Sequence, residues 1–89
     1  MKGMKITYKC LQANKNRIGN NKDIYYKLYL VRCRKGNHFA IAASSDEDRS
    51  VSNFGNNRAK AIDIYFKVVR NGVTPCCLCD IAEDFRNDS

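Results

Sequence analysis

The sequence predicts an α+β fold: a three-stranded antiparallel sheet packed on one amphipathic helix, with a short second helix at the C-terminus. Two observations lead there. In the N-terminal half, apolar residues recur at about every second position; in the C-terminal half they recur at helical spacing. Between the halves lies the polar stretch 44–57, SSDEDRSVSNFGNN, read as a flexible connection. At 89 residues one core is expected, so residues 1–89 are read as a single domain.

Segment 4–11, MKITYKCL, alternates. Ile6, Tyr8 and Cys10 fall on one face and Lys5, Thr7 and Lys9 on the other, the pattern of a half-buried strand. Segment 12–23, QANKNRIGNNKD, is polar, ends in Gly19-Asn20-Asn21, and reads as a loop. Segment 24–34, IYYKLYLVRCR, is dense in β-branched and aromatic residues and is the strongest strand in the chain. Gly36-Asn37 offers a two-residue turn with glycine first, which suits type II′. Segment 38–43, HFAIAA, then returns as the third strand and as an exposed sheet edge.

With Gly36 and Asn37 as the turn, Arg34 pairs with Phe39, Arg32 with Ile41 and Leu30 with Ala43. One face then collects Ile24, Tyr26, Leu28, Leu30, Phe39 and Ile41. The other shows Tyr25, Lys27, Tyr29, Lys35 and His38. A shift of one residue would exchange the third strand's faces, and the larger apolar set favours the first arrangement.

Segment 58–71, RAKAIDIYFKVVRN, is an amphipathic helix. Ala59, Ala61, Ile62, Tyr65, Phe66, Val68 and Val69 fill one half of its wheel, and Lys60, Asp63, Lys67, Arg70 and Asn71 the other. Asp63 and Lys67 stand four apart in the favourable order, and Asn71-Gly72 is a C-terminal stop. Thr74-Pro75 reads as N-cap and first position of the short helix. There Leu78, Ile81 and Phe85 form an apolar stripe, Cys77 lies beside Ile81 toward the core, and Asp80, Glu83 and Asp84 face water.

Charge is unevenly spread. Residues 1–72 hold 15 Lys and Arg against 5 Asp and Glu; residues 73–89 hold 1 against 4, for a total of +7. A basic body of this kind attracts nucleic acid, an acidic protein or an anionic surface. No apolar run approaches a membrane span, and MKGMKITYKC lacks the apolar core of a signal peptide. A cytoplasmic protein is therefore expected, with its five cysteines as free thiols.

Cys76, Cys77 and Cys79 invite a metal reading. A structural zinc site needs four ligands. Cys76 and Cys79 supply one pair, but Cys10, Cys33 and His38 do not supply a second at a recognisable spacing. The expectation is no metal and no cofactor, with cysteine used as a small hydrophobe. No nucleophile, base and orienting group stand at a catalytic spacing, and there is no Gly-rich phosphate loop, so a non-enzymatic protein is expected.

The stretch VRNGVTPCCLCDIAEDF resembles the C-terminal signature of a family of short uncharacterised proteins of Gram-positive anaerobic bacteria, V-T-P-x-x-L-x-D-x-x-E-D-F. Val73, Thr74, Pro75, Leu78, Asp80, Glu83, Asp84 and Phe85 carry it. The resemblance implies a fold and no activity. It does not call for cysteine at 76, 77 or 79, and this chain is more basic than such a family implies.

Two function classes are expected from the residues. In the first, the outer sheet face binds nucleic acid. Lys5, Lys9, Tyr25, Lys27, Tyr29 and Lys35 set cations for phosphates beside rings that stack on bases; by fold analogy, some DNA readers with a three-stranded sheet followed by a helix lay the sheet in the major groove. In the second, the same cations meet an acidic protein. The chain is then a regulator, or a phage-type inhibitor from a mobile element acting on a host nucleic-acid-handling enzyme such as a CRISPR-type defence nuclease. In that class an open sheet edge pairs with the partner or with a second copy in a dimer.

Overall fold

Alternation in the first 54 residues produces four strands rather than three. The computed structural model describes residues 6–18, 22–34 and 36–88. Strands β1 (Thr7–Ile18), β2 (Lys22–Cys33), β3 (Gly36–Ser44) and β4 (Arg49–Asn53) are followed by helices α1 (Arg58–Asn71) and α2 (Pro75–Asp88). The sheet is an antiparallel meander in the order β1-β2-β3-β4. Both helices pack on one of its faces.

The expected loop at 12–23 is largely strand. β1 runs on to Ile18 because its polar residues satisfy a specific geometry. Asn14 and Asn16 pair with Tyr26 and Ile24, so they share the helix side of the sheet. There Asn16 Nδ2 donates to the Val69 carbonyl at 2.7 Å, and the Tyr65 hydroxyl donates to Asn14 Oδ1 at 2.8 Å. These bonds tie the edge of the sheet to α1 and give buried polar atoms partners.

The expected connection at 44–57 is likewise ordered. Ser45 turns the chain, accepting the Glu47 and Asp48 amides on its hydroxyl, and β4 follows. Phe54, just past β4, is fully buried, and its amide donates to the Phe39 carbonyl at 2.8 Å. Its ring packs 5.6 Å from that of Phe85. Strand 38–43 is thus interior to the sheet, not an edge as expected; the edges are β1 and β4.

The β2–β3 register differs from expectation by an even step. Leu30 pairs with Phe39, Leu28 with Ile41 and Tyr26 with Ala43, and Cys33 with Gly36 closes the hairpin. Gly36 and Asn37 therefore stand in β3 and are not the turn residues. The expected pairing set Arg34 and Arg32 against Phe39 and Ile41. The observed one sets apolar against apolar, which is worth a few tenths to about 1 kcal/mol per pair. Gly36 spends its freedom at the first residue of β3, with φ 127°. An even slip keeps each side chain on its face. Hence Ile24, Tyr26, Leu28, Phe39 and Ile41 lie in the core as expected, with Leu30 packed at its margin.

Helix α1 begins and ends where the sequence indicates. Asn57 Oδ1 accepts the Lys60 amide at 3.0 Å as N-cap. Gly72 ends the helix in the left-handed conformation, φ 62°, with its amide and that of Val73 closing on Val69 and Val68. Asp63 and Lys67 form the expected ion pair at 3.2 Å. The buried stripe is narrower than expected. Ala61, Tyr65 and Val68 are buried, Ile62, Ile64 and Val69 pack at the margin, and Ala59 and Phe66 are exposed.

Helix α2 buries Pro75, Leu78 and Ala82, with Ile81 and Phe85 half-buried. Its inward face centres on Leu78 and Ala82. Cys77, one residue before Leu78, points about 100° away and is exposed, against the expectation that it faces the core. Val73, Pro75, Leu78 and Phe85 of the signature stretch are thus packing positions, and Asp80, Glu83 and Asp84 are exposed. The Val73 carbonyl accepts the Tyr26 hydroxyl at 2.8 Å, joining the start of α2 to the middle of the sheet. No helix among the described residues is long and apolar enough to cross a membrane.

Candidate functional site: the uncovered sheet face

The pleat that buries Ile24, Tyr26 and Leu28 sends Tyr25, Lys27 and Tyr29 to the opposite side. Among the described residues, no helix lies on that side. Tyr25 is 49% exposed, Lys27 is exposed, and Tyr29 is half-buried. Three of the expected site residues therefore stand together on one open surface. Lys5 and Lys35 lie outside the described residues.

Lys9 does not join them. A bulge between Cys10 and Gln12 reverses the phase of β1, since one extra residue in a strand shifts every later side chain to the other face. Leu11 is the extra residue, and it packs against the core. Beyond it, Asn14 and Asn16 face α1. Before it, Lys9 pairs with Leu30, on the helix side, while Tyr8 pairs with Val31 and Cys10 with Tyr29, on the open side. The expected assignment of Ile6, Tyr8 and Cys10 to the core and Lys9 to the outer face is thus inverted.

The exchange brings in an aromatic ring. Tyr8 is 67% exposed, and it meets Tyr29 edge-on, with centroids 6.4 Å apart and planes at 78°. Such a pair holds both rings in place. Tyr8, Tyr25 and Tyr29 form the aromatic part of the face. Arg49 of β4, which pairs with Ser44, and Lys15 of β1, which pairs with Tyr25, add cations. Arg17 adds another but is held by Asp23 at 3.1 Å. Among the described residues, Lys15, Lys27 and Arg49 have no carboxylate partner, and Asp23 is the one acid on this side of the strands.

The surface is not flat. β3 presents Ala40, Ala42 and Ser44 outward, between the large side chains of β2 and those of Arg49 and Val51 on β4. Small residues between taller rows make an open trough of about 390 Å³, lined by Tyr25, Lys27, Tyr29, Ala42, Arg49 and Val51. A second hollow of about 320 Å³ continues it toward Tyr8, Val31, His38, Ala40 and Val51. His38 pairs with Val31 and borders that hollow. Among the described residues, no carboxylate lines either one.

The tyrosines of the two sides differ in chemistry. Burial raises the Tyr26 phenol above its ordinary range. It pushes Tyr65 up to about 12, with a smaller contribution of the same sign from the charge of Cys10. Both hydroxyls are committed to carbonyl or amide oxygens. All five cysteines are unpaired, with Cys76, Cys77 and Cys79 exposed along α2. Among the described residues, no three His, Cys, Asp or Glu side chains are grouped so as to hold a metal ion.

Sequence reasoning missed Tyr8, Lys15 and Arg49 for identifiable reasons. The adjacent apolar pair Cys10-Leu11 breaks the alternation and was the one available sign of the phase reversal. Lys15 fell in a stretch read as loop. Arg49 depends on a five-residue strand, RSVSN, whose single β-branched residue is weak evidence for a strand. In comparisons with protein-family models, curated proteins and solved structures, nothing matches this chain.

Proposed function

We propose that this protein is a small basic, non-enzymatic binding module whose uncovered sheet face takes nucleic acid. One observation carries the reading. Among the described residues, three cations without carboxylate partners, Lys15, Lys27 and Arg49, share an open surface with three tyrosines, and only Asp23 opposes them on its strands. Cations neutralise phosphates and release counterions, which supplies affinity without sequence preference. Tyrosine rings offer stacking surface for bases. The trough gives both a concave seat.

The test is a titration of a labelled mixed-sequence oligonucleotide at low and raised salt. Affinity is expected to fall about tenfold or more between 50 and 200 mM salt. Lys15→Glu, Lys27→Glu and Arg49→Glu are each expected to weaken binding several-fold, roughly the loss of one phosphate contact. Lys9→Glu makes the same change in net charge on the other side of the sheet and is expected to do little. Equal losses from all four variants would point to net charge alone, and absence of binding at low salt would remove the reading.

A second reading rests on the same cations and on the open edges of β1 and β4. In it the face meets an acidic protein, as a regulator or a phage-type inhibitor of a nucleic-acid-handling enzyme would, and a sheet edge adds main-chain pairing. Binding to an acidic protein with no affinity for oligonucleotide would favour it.

A further inference from the structure

We infer that the ligand of this face is a single strand, lying along the β3 trough with bases against Tyr25 and Tyr29, rather than a duplex. The inference rests on the nucleic-acid reading and adds the form of the ligand.

The first argument is width. The major groove of duplex DNA, about 12 Å wide, admits a narrow sheet element such as a two-stranded ribbon. Neighbouring strands stand about 4.8 Å apart, so four strands span about 14 Å between the outer backbones alone, before side chains are added. This four-stranded sheet is too broad to enter. A duplex could touch it only through phosphates, leaving the tyrosines without partners.

The second argument is the shape of the trough. β2 and β4 flank β3 at one strand spacing on either side, so their side-chain rows stand about 10 Å apart. Between them the floor is Ala42 and Ser44. A larger residue at 42 would fill the space; alanine leaves room for a planar base. Tyr25 and Tyr29 alternate with Lys27 along β2, and Arg49 stands across the trough, facing Ser44. Rings and cations thus interleave along one line, the order in which a single strand presents bases and phosphates. The charge is complementary, since Lys27 and Arg49 both line the trough and, among the described residues, no carboxylate does.

The experiment uses the whole protein, with a labelled 12-nucleotide strand as DNA and as RNA, and a 12-base-pair duplex, at one low salt concentration. The single strand is expected to bind at least tenfold tighter than the duplex and to quench tyrosine fluorescence. Stacking on one ring is worth about 1–3 kcal/mol per base, so Tyr25→Leu is expected to weaken the single strand about fivefold or more. Ala42→Leu, which fills the floor without touching a ring or a charge, is expected to do the same. Neither change should move duplex affinity. Duplex binding equal to or tighter than single-strand binding, untouched by either variant, would overturn the inference and leave the basic-face reading standing. Failure of all three probes to bind would overturn both.

Discussion

The two faces of one sheet divide the labour of this molecule. On the helix side, Ile24, Tyr26, Leu28 and Ile41 are at most 2% exposed, and even the hydroxyls of Tyr26 and Tyr65 have partners. On the open side, Tyr8 is 67% and Tyr25 49% exposed, and three cations have no carboxylate partner among the described residues. Tyrosine serves both sides, in opposite roles. Inside, it is a large hydrophobe whose one polar atom is satisfied; outside, it is a ring left partly open to solvent. Composition cannot separate the two uses, and strand phase can.

Substitutions sharpen that contrast. The largest effect is expected inside, where Phe54→Ala removes a fully buried ring between β3 and α2 and should cost about 3–5 kcal/mol. For a domain of this size that is a large part of the total stability, and a shift in the urea midpoint with unchanged slope would report it.

Tyr65→Phe comes next. It leaves Asn14 Oδ1 and the Tyr26 carbonyl without their donor and should cost about 1–2 kcal/mol. It also has a pH signature. The folded protein holds the Tyr65 proton up to about pH 12, whereas an unfolded tyrosine releases it near pH 10. The unfolded chain therefore carries fewer protons in that window, and stability present below about pH 10 is lost as pH rises toward 12. Tyr65→Phe should flatten this alkaline loss in denaturation curves measured from pH 9 to 12, and an unchanged slope would contradict the assignment.

The smallest effect on stability is expected outside. Tyr25→Ala or Lys27→Glu should change it by no more than about 0.5 kcal/mol. A cost above 2 kcal/mol for either would mean that the open face is part of the core's support.

Legibility in the sequence followed the strength of the periodic signal. Helix α1 is read to the residue, because seven apolar positions repeat at helical spacing and Asn71-Gly72 marks its end. The face of β2 is legible even though the β2–β3 turn is misplaced, since an even slip preserves the pleat. What failed has a common cause: long-range pairing overrides local composition. Asn14 and Asn16 look like loop residues until α1 supplies the Val69 carbonyl and the Tyr65 hydroxyl. Ser50, Val51 and Ser52 look like a linker until β3 offers an edge. The bulge at Leu11 exchanges Tyr8 for Lys9 on the open face, and only the neighbouring apolar residues at 10 and 11 hint at it. The site was therefore half legible: Tyr25, Lys27 and Tyr29 from alternation alone, and Tyr8, Lys15 and Arg49 only from the fold.

The most direct test follows backbone amide signals of the isotopically labelled protein by NMR while a 12-nucleotide single strand is added. Shifts gathered at Tyr8, Tyr25, Lys27, Tyr29, Ala42 and Val51, with the α1 signals unmoved, are the result expected if the open face is the contact surface. Shifts gathered on α1 or α2, with the β2 and β3 signals unchanged, would contradict it.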